Sequence, residues 1–267
     1  MGKGRQELSS FFHKFKLWET VIMDNYRIDD LQINNLFIKQ DKTAFCFGTD
    51  AVLLANFAEP KKNAEILDIG TGNGIIPILL SAKTTAKKIT GLEIQQRSAD
   101  LAKENIKLNK LESLIEIIQG DIKDYSIFPA ASFDYITCNP PYKKVGTGLA
   151  NPEDTLAIAR HEIMCTLEDI IKASSYLLKS KGKLAMVHKP ERVAEIIYTM
   201  KKYKLEAKRL LLVYPREGVK PCLALVEGVK DGGAELNILP PLYVYDENGN
   251  YSVNIADLYN KRMNNDE

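Results

Sequence analysis

The stretch from residue 64 to residue 83 constrains the fold more than any other. A short apolar run, AEILDI, ends in Asp68-Ile69-Gly70-Thr71-Gly72-Asn73-Gly74, and an apolar segment of helical length, residues 75–83, follows at once. A buried strand that turns through glycines into a helix opens a βαβ unit, because the chain must fold back over the sheet it has just left. Pro77 falls in the first helical turn, where a missing N–H costs nothing. The alternation continues along the chain. Residues 88–94 read as a strand, 98–110 as an amphipathic helix, and 114–122 and 133–142 as strands with polar ends. Residues 167–182 read as a helix closed by Gly182, 182–189 as a strand, 191–203 as a helix, and 210–215 and 222–228 as a closing pair of strands. This predicts an α/β fold: a doubly wound, mostly parallel, seven-stranded Rossmann-like sheet with helices on both faces.

The flanks are weaker in pattern. Residues 8–18 read as a short amphipathic helix. Residues 31–47 read as two strands around a Gln40-Asp41-Lys42 turn, and a helix follows, capped by Thr49 or Asp50. The regular pattern begins near Arg27, and Met23 stands as an alternative start. In the tail, Asn248-Gly249 marks a hairpin, followed by a short helix ending near Arg262. The expected organisation is an N-terminal extension over residues 1–45, a main domain over 46–230, and a tail over 231–267 that packs on it. With 267 residues, 45% hydrophobic and 27% charged, the chain can bury a full core, which excludes disordered and collagen-like classes.

Several function classes recede on composition. No run of about 18 apolar residues predicts a membrane span, and the N-terminus has no signal-peptide core. Cys46, Cys138, Cys165 and Cys222 are scattered, without a C-x-x-C pair, which fits a reducing cytoplasm. His13, His161 and His188 are too dispersed to suggest a metal centre. Net charge is +1, but its distribution is uneven: Lys143 to Lys230 holds 17 basic and 10 acidic residues, whereas the tail from Asp231 holds 2 and 7. A basic face beside a site suits a polyanionic substrate, and a solvated helical face is the other reading.

The glycine loop is not the dinucleotide fingerprint, because its third glycine comes one residue early and an acid opens it. D-x-G-x-G-x-G resembles the first motif of class I S-adenosylmethionine (SAM) methyltransferases. That resemblance implies a SAM site in which Asp68 meets the ammonium of the amino-acid end. Gly70, Thr71, Gly72 and Gly74 would shape the loop around it. Glu93 ends the next strand, where an acid can accept both ribose hydroxyls. Asp121 ends the third, placed for an adenine amino group, with Ile94 and Ile122 to pack on the ring faces. An isolated acid at a strand end is also an ordinary solvated or turn residue.

Asn139-Pro140-Pro141-Tyr142 sets the reaction class. A planar amino nitrogen is a poor nucleophile, because its lone pair is conjugated. An asparagine carbonyl and a rigid proline carbonyl can accept both of its protons and aim the lone pair at an electrophilic methyl. Tyr142 offers a stacking surface for a base or an amide. Pro-Pro as a mere strand stop is the bland alternative. The motif specifies a planar NH₂ acceptor better than it specifies which one.

Taken with these motifs, Phe47-Gly48-Thr49-Asp50-Ala51, Ala159-Arg160-His161-Glu162, Pro240-Pro241-Leu242 and Tyr251 resemble one family, the bacterial valine-tRNA adenine-37 N6-methyltransferases. The resemblance runs from about residue 27 to about residue 260. It implies methyl transfer from SAM, with S-adenosylhomocysteine as product, to N6 of an adenine beside the anticodon of a tRNA. Thr49 and Asp50 then either close over the methionine end or serve as a helix cap. Lys143, Lys144, Arg160, His161, Arg216 and Lys220 are candidate RNA contacts, against the alternatives of solvated charges and ordinary ion pairs. No metal is needed, and monomer and homodimer both stay open. Rival readings are methylation of a protein glutamine amide, of an rRNA guanine N2 or of DNA adenine, and a SAM-binding RNA chaperone without turnover.

Overall fold

The structure is a computed structural model, and it describes residues 20–23, 26–41, 48–140, 165–253 and 255. The strands are β1 Thr20–Met23, β2 Tyr26–Asp30, β3 Phe37–Asp41, β4 Glu65–Ile69, β5 Lys88–Glu93, β6 Ile115–Gln119, β7 Phe133–Cys138, β8 Leu178–His188, β9 Leu205–Tyr214, β10 Leu223–Lys230, β11 Asn237–Ile238 and β12 Leu242–Tyr243. The helices are α1 Thr49–Phe57, α2 Ile75–Lys83, α3 Gln96–Leu108, α4 Leu167–Leu177 and α5 Val193–Lys202.

The main sheet runs β6-β5-β4-β7-β8-β10-β9. Its first five strands are parallel, and β10 is antiparallel to both β8 and β9. These are the seven strands expected. The tail adds the two-residue strands β11 and β12, both parallel to β9, so the sheet has nine strands and not seven. The extra pairing arises because β9 would otherwise leave an open edge.

Alternation along each strand fills two apolar layers. Ile66, Ala185, Val187 and Leu225 face α1, α2 and α3. Leu67, Leu184, Met186 and Val226 face α4 and α5. Because the chain passes from β4 through β5 to β6 and then returns to place β7 on the other side of β4, the sheet reverses its order between β4 and β7. Open α/β sheets bind ligands at that point, outside the carboxyl ends of the strands.

Three local expectations are corrected. The N-terminal hairpin turns at residues 31–36, not at Gln40-Asp41-Lys42, and Gln40 and Asp41 lie inside β3 paired with Arg27 and Tyr26. Gln32, Asn34 and Asn35 take left-handed φ there, which asparagine tolerates. Helix α1 is preceded by Gly48, with no side-chain cap bond, so neither Thr49 nor Asp50 is its N-cap. Helix α4 ends at Leu177, β8 begins at Leu178, and Gly182 sits inside that strand. A Cβ at Gly182 would lie 2.8 Å from the Lys179 carbonyl, so this glycine serves a strand irregularity where the β7–β8 register shifts. The hairpin at Asn248-Gly249 does form, with Asp246 accepting from the Asn248 and Asn250 amides at 2.9 and 2.8 Å. The proposed helices at 8–18 and toward Arg262 lie wholly or largely outside the described residues.

Candidate active site

The loop after β4 is shaped by backbone bonds to the next strand. Gly70 and Thr71 N–H donate to the Leu92 carbonyl at 2.9 and 3.1 Å, and Gly74 N–H to the Thr71 carbonyl at 2.9 Å. Gly72 has φ +57°, a left-handed conformation that side chains resist, and a Cβ there would meet nothing within 4 Å. The backbone is therefore open on that side, as a ligand cradle requires. Gly91 has the opposite reason. A Cβ on it would stand 2.8 Å from Ile117 Cδ1 and 2.9 Å from the Thr71 side chain, so a bare position in β5 lets Thr71 pack beneath the loop.

Asp68 lies at the carboxyl end of β4 and is fully buried. Its register partner on β7 is Thr137, whose hydroxyl donates to Asp68 Oδ1 at 2.7 Å. Oδ2 is buried without a hydrogen-bond partner among the described residues. Burial pushes the Asp68 pKa up to about 7, against hydrogen bonding from Thr137, while the nearby Glu93 charge adds to the rise. The Thr71 hydroxyl is close enough to lower this pKa without meeting hydrogen-bond geometry. An unsatisfied buried carboxylate oxygen is costly, and a cationic donor group would satisfy it.

Glu93 ends β5 and is buried; its carboxylate accepts from Gly72 N–H and Gln95 N–H, both at 2.9 Å. A carboxylate offers about four lone-pair sites, so capacity for hydroxyl donors remains. Asp121 follows β6, accepts from Lys123 N–H at 2.9 Å, and has Lys123 Nζ at 3.7 Å. Ile122 is buried and Ile94 half-buried beside these tips. Thr49 is buried, and Asp50 Oδ1 lies 3.0 Å from Ala51 N–H and folds back toward Gly48.

On the other side of the switch point, Ile69 pairs with Cys138, so the glycine loop and Asn139-Pro140 leave adjacent strands at the same level. Asn139 is half-buried and Pro140 buried. Pro141, Tyr142, Lys143, Lys144, Arg160 and His161 lie outside the described residues. Arg216 and Lys220 are exposed in the β9–β10 turn, at the same end of the sheet as Asn139, because β9 ends and β10 begins there.

Sequence reasoning missed Thr137 and His188. His188 ends β8 two residues beyond Met186, the partner of Cys138, and pairs with Ala224 of β10. It is buried, its Nδ1 accepts from Lys189 N–H at 2.7 Å, and burial followed by the Arg192 charge lowers its pKa to about 4. The signal for Thr137 was present: a polar residue between Ile136 and Cys138, level with a buried acid on the strand beside it.

A SAM donor needs an acid for its ammonium, bare backbone beside it, a second acid for ribose hydroxyls, and apolar sides for adenine. The orphaned Asp68 oxygen, the open backbone at Gly72, Glu93, and the Ile94–Ile122 pair fit that set.

Residues 42–206 match the family described as the methyltransferase small domain. A tRNA1(Val) (adenine(37)-N6)-methyltransferase from Bacteroides thetaiotaomicron is 34% identical over 197 residues, covering 73% of this chain and 81% of that protein. Its counterpart from Aeromonas salmonicida is 31% identical over 182 residues, covering 68% and 75%. Among solved structures, a predicted O-methyltransferase from Agrobacterium tumefaciens superposes with TM-score 0.65 at 24% identity, over 80% of this chain and 96% of that one. A geranyl diphosphate C-methyltransferase from Streptomyces coelicolor, solved with S-adenosyl-L-homocysteine, gives 0.52 at 11% over 68% and 78%. These two likenesses speak for the fold alone. With the switch-point acids, the glycine cradle and the Asn139-Pro140 turn on one sheet edge, the match over most of the length places the chain in the methyltransferase small domain family, in the branch of the tRNA1(Val) (adenine(37)-N6)-methyltransferases.

Proposed function

We propose that this protein transfers a methyl group from SAM to N6 of an adenine in tRNA, the adenine beside the anticodon of a valine tRNA. One observation carries the reading: the register pair Ile69–Cys138 puts the donor loop and Asn139-Pro140 side by side at the switch point. The donor supplies a methyl made electrophilic by a sulfonium. Asp68 holds the ammonium end, Glu93 the ribose, and Asp121 with Ile94 and Ile122 the adenine. The Asn139 side-chain carbonyl and the Pro140 backbone carbonyl accept the two amino protons of the target base, with Pro141 stiffening the turn and Tyr142 stacking on the ring. The target N6 lone pair forms the new N–C bond, the C–S electrons remain on sulfur, and the product nitrogen loses one proton to water. Alignment and electrostatics supply the rate. Arg216 and Lys220, with Lys143, Lys144, Arg160 and His161, supply phosphate contacts. Among the described residues Cys138, Cys165 and Cys222 are free, which suits a cytoplasmic setting.

The test is incubation with labelled SAM and either total tRNA or protein extract, followed by nucleoside mass spectrometry. N6-methyladenosine in tRNA is expected; label in protein alone would overturn the assignment. Asn139→Ala is expected to cut transfer by at least about a hundredfold while SAM binding persists.

A further inference from the structure

Two asparagines four residues apart, Asn105 in α3 and Asn109 capping its end, close the outer edge of the N-terminal hairpin. The Asn109 amide accepts from Phe37 N–H and donates to the Phe37 carbonyl, both at 2.7 Å. Four residues earlier, Asn105 accepts from Lys39 N–H at 2.7 Å and donates to the Lys39 carbonyl at 2.9 Å. Residues i and i+4 share a helix face, and residues i and i+2 present their backbone to the same strand edge, so the two periods match over this one turn. The second N–H of Asn105 donates to the carbonyl of Asn73 at 2.9 Å, inside the glycine loop. Asn105 is fully buried, and its acceptor and both donors are thereby used. The same strand is fastened to α3 by Lys39–Glu104 at 2.8 Å and by an Asp41–Arg97 ion pair.

We infer that Asn105 is a positioning residue of the donor site, a single buried amide that couples the order of the N-terminal hairpin to the shape of the glycine loop. This rests on the reading that SAM binds at that loop. The position needs one acceptor and two donors in a plane, which a carboxamide supplies and a carboxylate of the same shape does not. Coupling is reciprocal: if the hairpin holds the loop, then filling the loop must steady the hairpin.

The experiment is amide hydrogen exchange on the full chain with and without S-adenosylhomocysteine, with calorimetry to establish binding. Exchange at Phe37 and Lys39 is expected to slow together with exchange at residues 70–74. Asn105→Ala is expected to weaken binding of S-adenosylhomocysteine, and to raise KM for SAM, by about tenfold, the worth of one buried hydrogen bond. The KM for tRNA stays unchanged, and the hairpin no longer responds to ligand. Asn105→Asp is expected to behave like the alanine variant. Asn109→Ala removes the anchor at Phe37 but leaves the Asn105 bonds to Lys39 and Asn73 in place, so it is expected to lose clearly less affinity than Asn105→Ala. Slowing at residues 70–74 with none at Phe37 and Lys39 in the unaltered chain would overturn the coupling, as would equal loss of affinity in the Asn105 and Asn109 variants. Failure of the unaltered chain to bind S-adenosylhomocysteine overturns the donor-site reading and the coupling with it.

Discussion

At the scale of single residues, Asp68 dominates the behaviour of the site. Its pKa of about 7 in the folded chain stands above the ordinary aspartate value of 3.8. Between those values the folded state holds a proton that the unfolded state has released, so stability falls as pH rises through the window. The full penalty, about 4 kcal/mol, is reached above pH 7. Asp68→Asn keeps an oxygen for the Thr137 hydroxyl and removes the charge. It should raise the melting temperature of the ligand-free protein at pH 8 and leave it nearly unchanged near pH 4. Donor affinity responds with the opposite sign. A ligand ammonium group prefers the ionised carboxylate, so binding of S-adenosylhomocysteine should weaken about tenfold per pH unit below 7, and calorimetry across pH 5–8 reads this directly. His188 has its pKa lowered to about 4 and so contributes stability that is present above pH 6.5 and lost as pH falls toward 4. A His188→Gln variant should therefore flatten the acid limb of the stability profile. Gly72→Ala separates strain from ligand contact. With φ at +57° and no neighbour within 4 Å, it should cost about 1 kcal/mol of stability but far more in donor affinity.

At the scale of elements, the glycine in β5 gives the corresponding prediction. Gly91→Ala drives a methyl against Thr71 and Ile117, so chemical denaturation should show a loss of about 1–3 kcal/mol. Because Thr71 is part of the loop, SAM affinity should fall too. The segments of strongest period were legible in the sequence: α2 runs over Ile75–Lys83 as its pattern predicts, and β4, β5 and β7 lie within their apolar runs. The misread boundaries share a cause. The residues after Leu177 continue an apolar and lysine-rich pattern that suits a helix locally. Pairing of Leu178 with Phe133 of β7 turns the chain into the sheet there, although Ser180 and Lys181 stay exposed, and the buried pairing with β7 and β10 is resumed from Lys183. The hairpin turn was misplaced because three polar residues, Gln40-Asp41-Lys42, suggest a turn by composition. Yet Gln40 and Asp41 are buried in the folded chain, where Gln40 meets Asp29 and Asp41 meets Arg97.

At the scale of the whole molecule, one carboxylate joins four distant stretches of chain. Glu227 on β10 is buried, accepts from the Tyr135 hydroxyl at 2.6 Å, and meets Lys183 at 3.1 Å and Arg209 at 3.3 Å. Arg209 in turn reaches Glu59 at 3.0 Å and lies over the Phe57 ring. Removing the acid leaves the buried Tyr135 hydroxyl without its acceptor and the half-buried Lys183 without its partner, so Glu227→Ala should cost about 1–3 kcal/mol in equilibrium unfolding with SAM affinity preserved in the protein that remains folded. Nothing in the local sequence marks Glu227 for this, since its partners are 18 to 92 residues away. The sequence by itself determined the α/β class, the strands and helices of strongest period and the reaction class, because those depend on short-range periodicity and on motifs held within a few residues. The tertiary structure alone decided that Asp68 is buried against Thr137 with one oxygen unsatisfied among the described residues, that His188 is buried at the end of β8, and that Asn105 bonds both the hairpin and the glycine loop. Burial and pairing across strands are set by which segments become neighbours, and that is a property of the folded sheet rather than of any stretch of chain.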